Sequence, residues 1–428
     1  AFRSGVARVQ KLVPEPRKNR RGIAADGPPG RPNVRGVPRR RLILLIAFVA
    51  FIALGMPKAA FGVAWPSMAT DLSAPLADLG LFVAIHTGAY FVASLLSGRL
   101  SHRIGNGPML TASAWALTLG LAGYVVAPNR LGLAMAAIVL GLGGGLLDAG
   151  INAHVALDYG ARAMGLLHAS FGIGATMGPL VMTVILALDG SWRIGFALLV
   201  VLQAGIAVAI WRTSADWGTA SVESGERPRL PSTQRTTAVL AVLVFVLIGG
   251  IEVSTGSWTY TLLTEGRGMG EAAAGLAVTG FWGAFTAARL LLGAIGDRVA
   301  PDRVLKSAAV GTVIGTGLLW WNPTASIGAL GLIATGFALG FAFPLQMLLT
   351  PRRFGAVATP PMAGYQLAGA TVGAVFLPLL IGQLVAANNL EVVGPVISGA
   401  ALALLAITLI LTRQSPSRVP AGSDSLDH

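Results

Sequence analysis

Between Gly141 and Pro179 the chain reads GLGGGLLDAGINAHVALDYGARAMGLLHASFGIGATMGP, and this mostly apolar stretch carries a carboxylate (Asp148), an amide (Asn152) and two imidazoles (His154, His168). Asp148 and Asn152 are four residues apart, so on a helix they share one face, a turn apart. A carboxylate on such a face can take a proton when desolvated and release it when water enters. The amide can donate to and accept from a solute hydroxyl. The plainer reading of both is an interhelical hydrogen bond that only stabilises packing.

Three more charges stand inside apolar runs: Lys58, Glu252 and Arg289. A charge at membrane depth is expensive and is usually paired or functional. Either Lys58 and Glu252 form a structural ion pair, or Glu252 is a proton or solute site that Lys58 biases. Aromatic and amide groups at comparable depth are Trp258, Trp282, Tyr260, Tyr365, Gln346 and Gln366. Aromatic faces suit the C–H face of a sugar ring, and buried amides need partners such as hydroxyls. Lipid-facing or packing roles are the plainer account of the aromatics.

The elements that position these groups follow from composition. Hydrophobic residues make up 54% of 428, charged residues 11%, and mean hydropathy is +0.71; so few charges cannot cover a soluble surface. Apolar runs long enough to cross a ~30 Å hydrocarbon core lie at Leu42–Ala64, Leu79–Leu100, Pro108–Val126, Leu131–Val155, Met164–Leu188 and Ile194–Trp211. Six more follow at Ala238–Leu263, Ala272–Ile295, Val304–Trp321, Ile327–Leu349, Met362–Ala386 and Val393–Leu411. The expected fold is an all-α polytopic membrane protein with twelve transmembrane helices, arranged as two six-helix bundles around a central cavity. The divisions are a basic disordered tail (1–41), a first bundle (42–212), a solvated linker (213–235), a second bundle (236–412) and a C-terminal tail (413–428).

The net charge of +13 is concentrated in that first tail, where twelve Lys/Arg face only Glu15 and Asp26. The tail is rich in Pro and Gly and has no apolar face, so its role is topological and toward anionic lipids, not nucleic acid. If the tail is inside, fourteen further Lys/Arg share its side and only Arg130, Arg193 and Arg267 lie opposite. Both termini are expected in the cytoplasm, with the chain in the cytoplasmic membrane. A polar tail of this length ahead of the first apolar run does not read as a cleavable signal peptide. Absence of cysteine excludes thiolate metal sites, disulfides and cysteine nucleophiles. No His-Glu-x-x-His, nucleophile elbow or phosphate-cradling loop is present, so an enzyme, a metal site, a cofactor and direct ATP drive are not expected.

The halves repeat. Gly98-Arg-Leu-Ser-His102-Arg103 aligns with Gly293-Ala-Ile-Gly-Asp297-Arg298, and His168-Ala-Ser-Phe-Gly172 with Tyr365-Gln-Leu-Ala-Gly369. Repeats of this kind place a solute site at mid-membrane between halves that rock. The first pair resembles the loop signature Gly-x-x-x-Asp-Arg-x-Gly of the major facilitator superfamily, with His102 in place of the acid. By that resemblance Arg103, Asp297 and Arg298 would serve in gating, with Asp297 the better latch. Gly145-Leu-Leu-Asp148-Ala-Gly-Ile-Asn152 and Glu252-Val-Ser-Thr-Gly256-Ser-Trp258 are similar to stretches of the fucose–proton symporters and related sugar carriers, although Gly62 stands where those carry a helix-1 acid. The resemblance implies that Lys58 and Glu252 face one cavity. It also implies that His168 and Arg289 share an inner gate, while His154, nearer water, reads as packing.

These readings converge on a secondary transporter of a small polar solute, a monosaccharide above all, by alternating access. Asp148, Glu252 and His168 would couple protons. Asn152, Lys58, Trp258, Trp282, Gln346, Tyr365 and Gln366 would hold solute, and Arg289 would gate. The alternative is a proton antiporter that exports lipophilic compounds. For it speak Gly165, Gly174, Gly178 and Pro179, which fit part of a drug-antiporter signature whose closing glycines are replaced by Met182 and Thr183.

Overall fold

The computed structural model describes residues 36–218, 234–295 and 298–414. Among them are twelve helices long and apolar enough to cross a membrane, and no strand. In chain order they are α1 (Gly36–Asp71), α2 (Leu79–Ile104), α3 (Asn106–Val126), α4 (Arg130–Asp158), α5 (Gly160–Ala187) and α6 (Trp192–Arg212). Then follow α7 (Arg235–Thr261), α8 (Glu271–Ile295), α9 (Pro301–Trp321), α10 (Ala325–Gly355), α11 (Val357–Ala387) and α12 (Val393–Gln414). The twelve apolar runs all become helices, because a backbone polar group in lipid must be bonded within its own segment.

The helices outrun the apolar runs at several ends. The first takes in Arg39, Arg40 and Arg41, which were read as tail, and runs on to Asp71 through Pro57 and Pro66; residues 1–35 lie outside the described residues. A π-turn, Leu262–Gly266, prolongs α7. The apolar runs Ile327–Leu349 and Met362–Ala386 leave residues 350–361 between α10 and α11 as a connection. Helical bonding instead continues from Ala325 to Ala387, broken only at Gly355 (φ 78°, ψ 166°), a conformation open to glycine and strained for other residues. The expected tether also begins differently. Ser214–Asp216 forms one helical turn, and Trp217 is fully buried, accepting through its carbonyl from Asn106 Nδ2 at 3.1 Å. The rest of the linker up to residue 233 lies outside the described residues.

Small residues decide how the helices meet. A Cβ on Gly120 would stand 2.6 Å from the Leu140 nitrogen, and one on Gly143 2.7 Å from the Leu117 nitrogen, so α3 and α4 pack backbone to backbone. Gly141 and Gly145 rest on the carbonyls of His86 and Tyr90. That seats α4 directly on α2, one turn before Asp148. Gly174 and Gly178 of α5 lie against the carbonyls of Ile52 and Met56 in α1. Two members of the drug-antiporter pattern are thus accounted for by close packing.

The first six helices meet the last six at mid-length of α5 and α8 and again at the end of the molecule away from Gly36. There Gly62 (α1) meets the Ser257 carbonyl (α7), Gly80 (α2) the Pro378 carbonyl (α11), and Gly275 (α8) the Thr183 side chain (α5). At the opposite ends of α2, α5, α8 and α11, the positions Gly98, Gly165, Gly293 and Gly364 have nothing within 4 Å of a Cβ. The halves are pressed together on the far side and parted on the side where the described chain begins and ends.

Within each half, the far-side helix ends are also braced by charge. Arg193 donates to the carbonyls of Val125 and Ala127 at the end of α3 and lies 3.7 Å from Asp71. Arg267 donates to the Leu319 and Trp320 carbonyls at the end of α9 and grips Glu391 with both edges, at 2.8 and 2.7 Å. Cations there complement the negative helix C-termini.

Candidate functional site

Asn152 Nδ2 donates to Asp148 Oδ1 at 3.0 Å and to the Asp148 backbone carbonyl at 3.0 Å. The shared face expected from their spacing is therefore a direct bond, and it leaves Asn152 Oδ1 buried without a partner. Across from them, α2 contributes the Tyr90 phenol, which hydrogen-bonds toward the Asp148 carboxyl. The Lys58 ammonium on α1 acts electrostatically on Asp148 and on His86. It also lies 5.9 Å from the centre of the Phe171 ring, a cation–π contact. Three helices of the first half thus converge on one carboxylate, positioned by the α2–α4 glycine contacts.

Glu252 is engaged elsewhere. Its Oε2 is 3.9 Å from Arg289 Nη2 in α8, with 14% and 23% of the two side chains exposed. Among the described residues no carboxylate lies within 4 Å of Lys58. The Lys58–Glu252 pair left open by the sequence is thus replaced by Glu252–Arg289. Arg289 also lies over the Phe285 ring at 4.1 Å, and its Nε is buried without an acceptor. From α5, His168 feels the Arg289 charge and sets its ring edge-on to Phe51, 6.3 Å between centroids. Contacts of Gly172 with Thr286 and Gly283 with Thr176 hold α5 and α8 side by side. The charge of Arg289 thus acts on His168 across the α5–α8 contact between the halves.

A small cavity of about 30 Å³ lies beyond Lys58 toward the far side, lined by Pro57, Phe61, His86, Thr87, Tyr124 and Ser257 among others. It has room for about one water, so a sugar-sized solute does not fit there in this conformation. His86 Nδ1 is buried and unpartnered at its wall. The sequence reading passed over His86 and Tyr90. The available signal was their spacing of four in FVAIHTGAYF, which puts both on one helix face with rings 6.5 Å apart.

The remaining expected residues fall into distinct places. Trp282 is buried against Gly256 with its Nε1 unpartnered, one to two turns from the Glu252–Arg289 pair. Trp258 is fully buried and donates to the Pro378 carbonyl at 3.2 Å, an α7–α11 packing contact, and Tyr260 is buried near it in sequence. Tyr365 is exposed on α11. Gln346 and Gln366 lie together at the α10–α11 junction. Arg103 and Arg298 are exposed and make no ion pair among the described residues; Asp297 lies outside the described residues. His154 is buried, bonded through Nδ1 to Asp158 at 2.9 Å and packed on Trp217 at 5.1 Å, as its packing role requires. Among the described residues no three His, Asp or Glu are grouped to hold a metal ion.

Comparison with known proteins adds the following. The sequence pattern described as Major Facilitator Superfamily matches residues 43–354. The chain is 24% identical to "Bypass of stop codon protein 6" of Saccharomyces cerevisiae, over 84% of this chain and 83% of that protein. It is 22% identical to "Sodium-dependent glucose transporter 1A" of Mus musculus, over 79% of this chain and 88% of that one. The fold is similar to the crystal structure of a D-xylose-proton symporter, with a TM-score of 0.70, 15% identity, and 88% and 98% of the two chains covered.

Proposed function

The chain belongs to the Major Facilitator Superfamily, and we propose that it carries a small polar solute, a monosaccharide above all, driven by protons through Asp148. The observation that carries this reading is the placement of the Asp148–Asn152–Tyr90–Lys58 cluster. It lies on three helices of the first half, two of which, α1 and α2, meet the second half at Gly62 and Gly80 on the far side, so rocking of the halves would change the water access of the carboxylate. The bonded amide, the unpartnered Asn152 Oδ1 and the Trp282 indole N–H are suited to hydroxyl groups. The sugar-carrying names among its relatives point the same way. The Glu252–Arg289 pair with His168 forms the second charged station, at the α5–α8 seam, where loading or gating is felt by both halves.

In this reading residues 42–212 and 236–412 are the two rocking halves, joined by the 213–235 linker. The basic tail marks the cytoplasmic face of the cytoplasmic membrane. Arg103, Asp297 and Arg298 restrain the cytoplasmic ends. The test is uptake of labelled monosaccharides into proteoliposomes under an imposed pH gradient. Accumulation of one sugar class that collapses with a protonophore is the expected result. Gradient-driven movement of lipophilic cations, with no sugar uptake, overturns it in favour of export.

A further inference from the structure

Gln346, Thr350 and Arg353 occupy the last turns of α10, and Gln366 faces them from α11 across the Gly355 break. Arg353 Nη1 donates to Gln346 Oε1 at 2.7 Å, and the Thr350 hydroxyl is shared between Gln366 Oε1 at 2.9 Å and the Gln346 backbone carbonyl at 3.1 Å. Both amide oxygens are occupied, so both amide nitrogens are directed elsewhere. There Gln346 Nε2 and Gln366 Nε2 find no acceptor, and neither do Nε and Nη2 of Arg353. The two glutamines are 1% and 0% exposed. Buried polar atoms are nearly always partnered, and here four unpartnered atoms in one connected network are all donors.

The acceptor that reaches this network electrostatically is Asp302, at the start of α9, yet it forms no ion pair with Arg353 within 4 Å. Its Oδ1 is itself buried and unpartnered. Arg298, Arg303, Lys306 and Arg352 occupy the same end of α8, α9 and α10, so among the described residues there cations outnumber the Asp302 carboxylate. A guanidinium edge with two amide N–H₂ groups matches the oxygens of a carboxylate or a phosphate.

We propose that Arg353, Gln346 and Gln366 form an anion site at the Gly355 hinge, which takes the phosphate or carboxylate of a small solute or of a lipid headgroup. The site is separate from the Asp148 cluster and stands whichever solute that cluster carries. It also reassigns the two glutamines: expected to hold sugar hydroxyls, they offer only donors once Arg353 and Thr350 have taken their oxygens. Binding there bridges α10 and α11 at the one residue where their helices break.

The experiment is thermal unfolding of the purified full chain in nanodiscs. Wild type is compared with Arg353→Lys, which keeps the charge and loses the fork, and with Arg353→Gln and Gln366→Leu. Inorganic phosphate is titrated against sodium chloride at matched ionic strength in phosphatidylcholine discs; phosphatidylglycerol discs without phosphate form the second arm. A saturable rise in melting temperature of about 2–5 °C in wild type, absent from the folded variants, is expected in at least one arm. The phosphate arm identifies a soluble anion and the lipid arm a headgroup. A rise of equal size in wild type and variants, or no rise in either arm, overturns the site. Sugar uptake is not read, so failure here leaves the Asp148 reading untouched.

Discussion

Arg289 Nη2 stands 3.9 Å from Glu252 Oε2 on the neighbouring helix, and His168 from the other half of the molecule lies within reach of the same guanidinium charge. Neither partner is fully buried, so the pair is loose enough to be opened by a ligand or a proton and close enough to neutralise both charges. Removing one member strands the other at membrane depth. Glu252→Gln or Arg289→Gln should each lower stability by about 1–3 kcal/mol. The double variant should recover part of that loss. Thermal unfolding of the four proteins in a double-mutant cycle checks it; simple additivity would mean the two groups do not interact.

Asp148 is placed to exchange a proton, and Asn152 already bonds its carboxyl. The change Asp148→Asn keeps shape and hydrogen-bonding capacity, so stability should move by less than about 1 kcal/mol. Accumulation driven by a pH gradient should vanish while exchange between two pools of solute persists. Parallel uptake and counterflow assays separate the two. Loss of neither activity removes Asp148 from coupling.

How much of this was legible in the chain depends on the range of the interaction. The twelve helices follow from runs of apolar residues, a local signal, and Asp148–Asn152 follows from spacing on a single helix. The partner of Glu252 was not legible, because Arg289 and Lys58 are equally plausible cations until α7 and α8 are packed. Tyr90 and His86 were missed because their run, unlike that of His154, holds no carboxylate or amide beside them, and only packing brings α2 against Asp148. Gln346 and Gln366 were rightly singled out as buried amides. What their oxygens bond, however, is set by Arg353 on the same helix and by Thr350 across a helix break that lies between two apolar runs.

The far-side contact of Gly62 with Ser257 predicts a conformational variant. A Cβ on Gly62 would stand 2.7 Å from the Ser257 carbonyl oxygen, and backbone cannot yield as a flexible side chain does. Gly62→Val should therefore disfavour the closed far side by about 1–3 kcal/mol and move the population toward the opposite state. The chain has no cysteine, so a single Gly98→Cys gives a clean reporter on the open side. Its modification by a polar maleimide should slow by about threefold or more when Gly62→Val is added. An unchanged rate, with the variant folded, would show that this contact does not hold the far side closed.

The two far-side clamps should differ in strength, and their geometry says in which order. Arg267 is 8% exposed, meets Glu391 with two parallel bonds and also caps α9. Arg193 is 32% exposed and stands 3.7 Å from Asp71, whose Oδ2 is already held by the Trp192 indole at 2.8 Å. Lysine keeps the charge but cannot form the fork. Arg267→Lys should thus cost about 1–2 kcal/mol, and Arg193→Lys less than about 1 kcal/mol. Because the Arg267 guanidinium is buried although Glu391 is half exposed, the Arg267→Lys difference should shrink less in high salt than the Arg193→Lys difference. Melting curves of both variants at low and high sodium chloride decide it. Equal losses, or an Arg267→Lys loss that salt abolishes, would mean that the Arg267–Glu391 pair behaves as an ordinary surface contact.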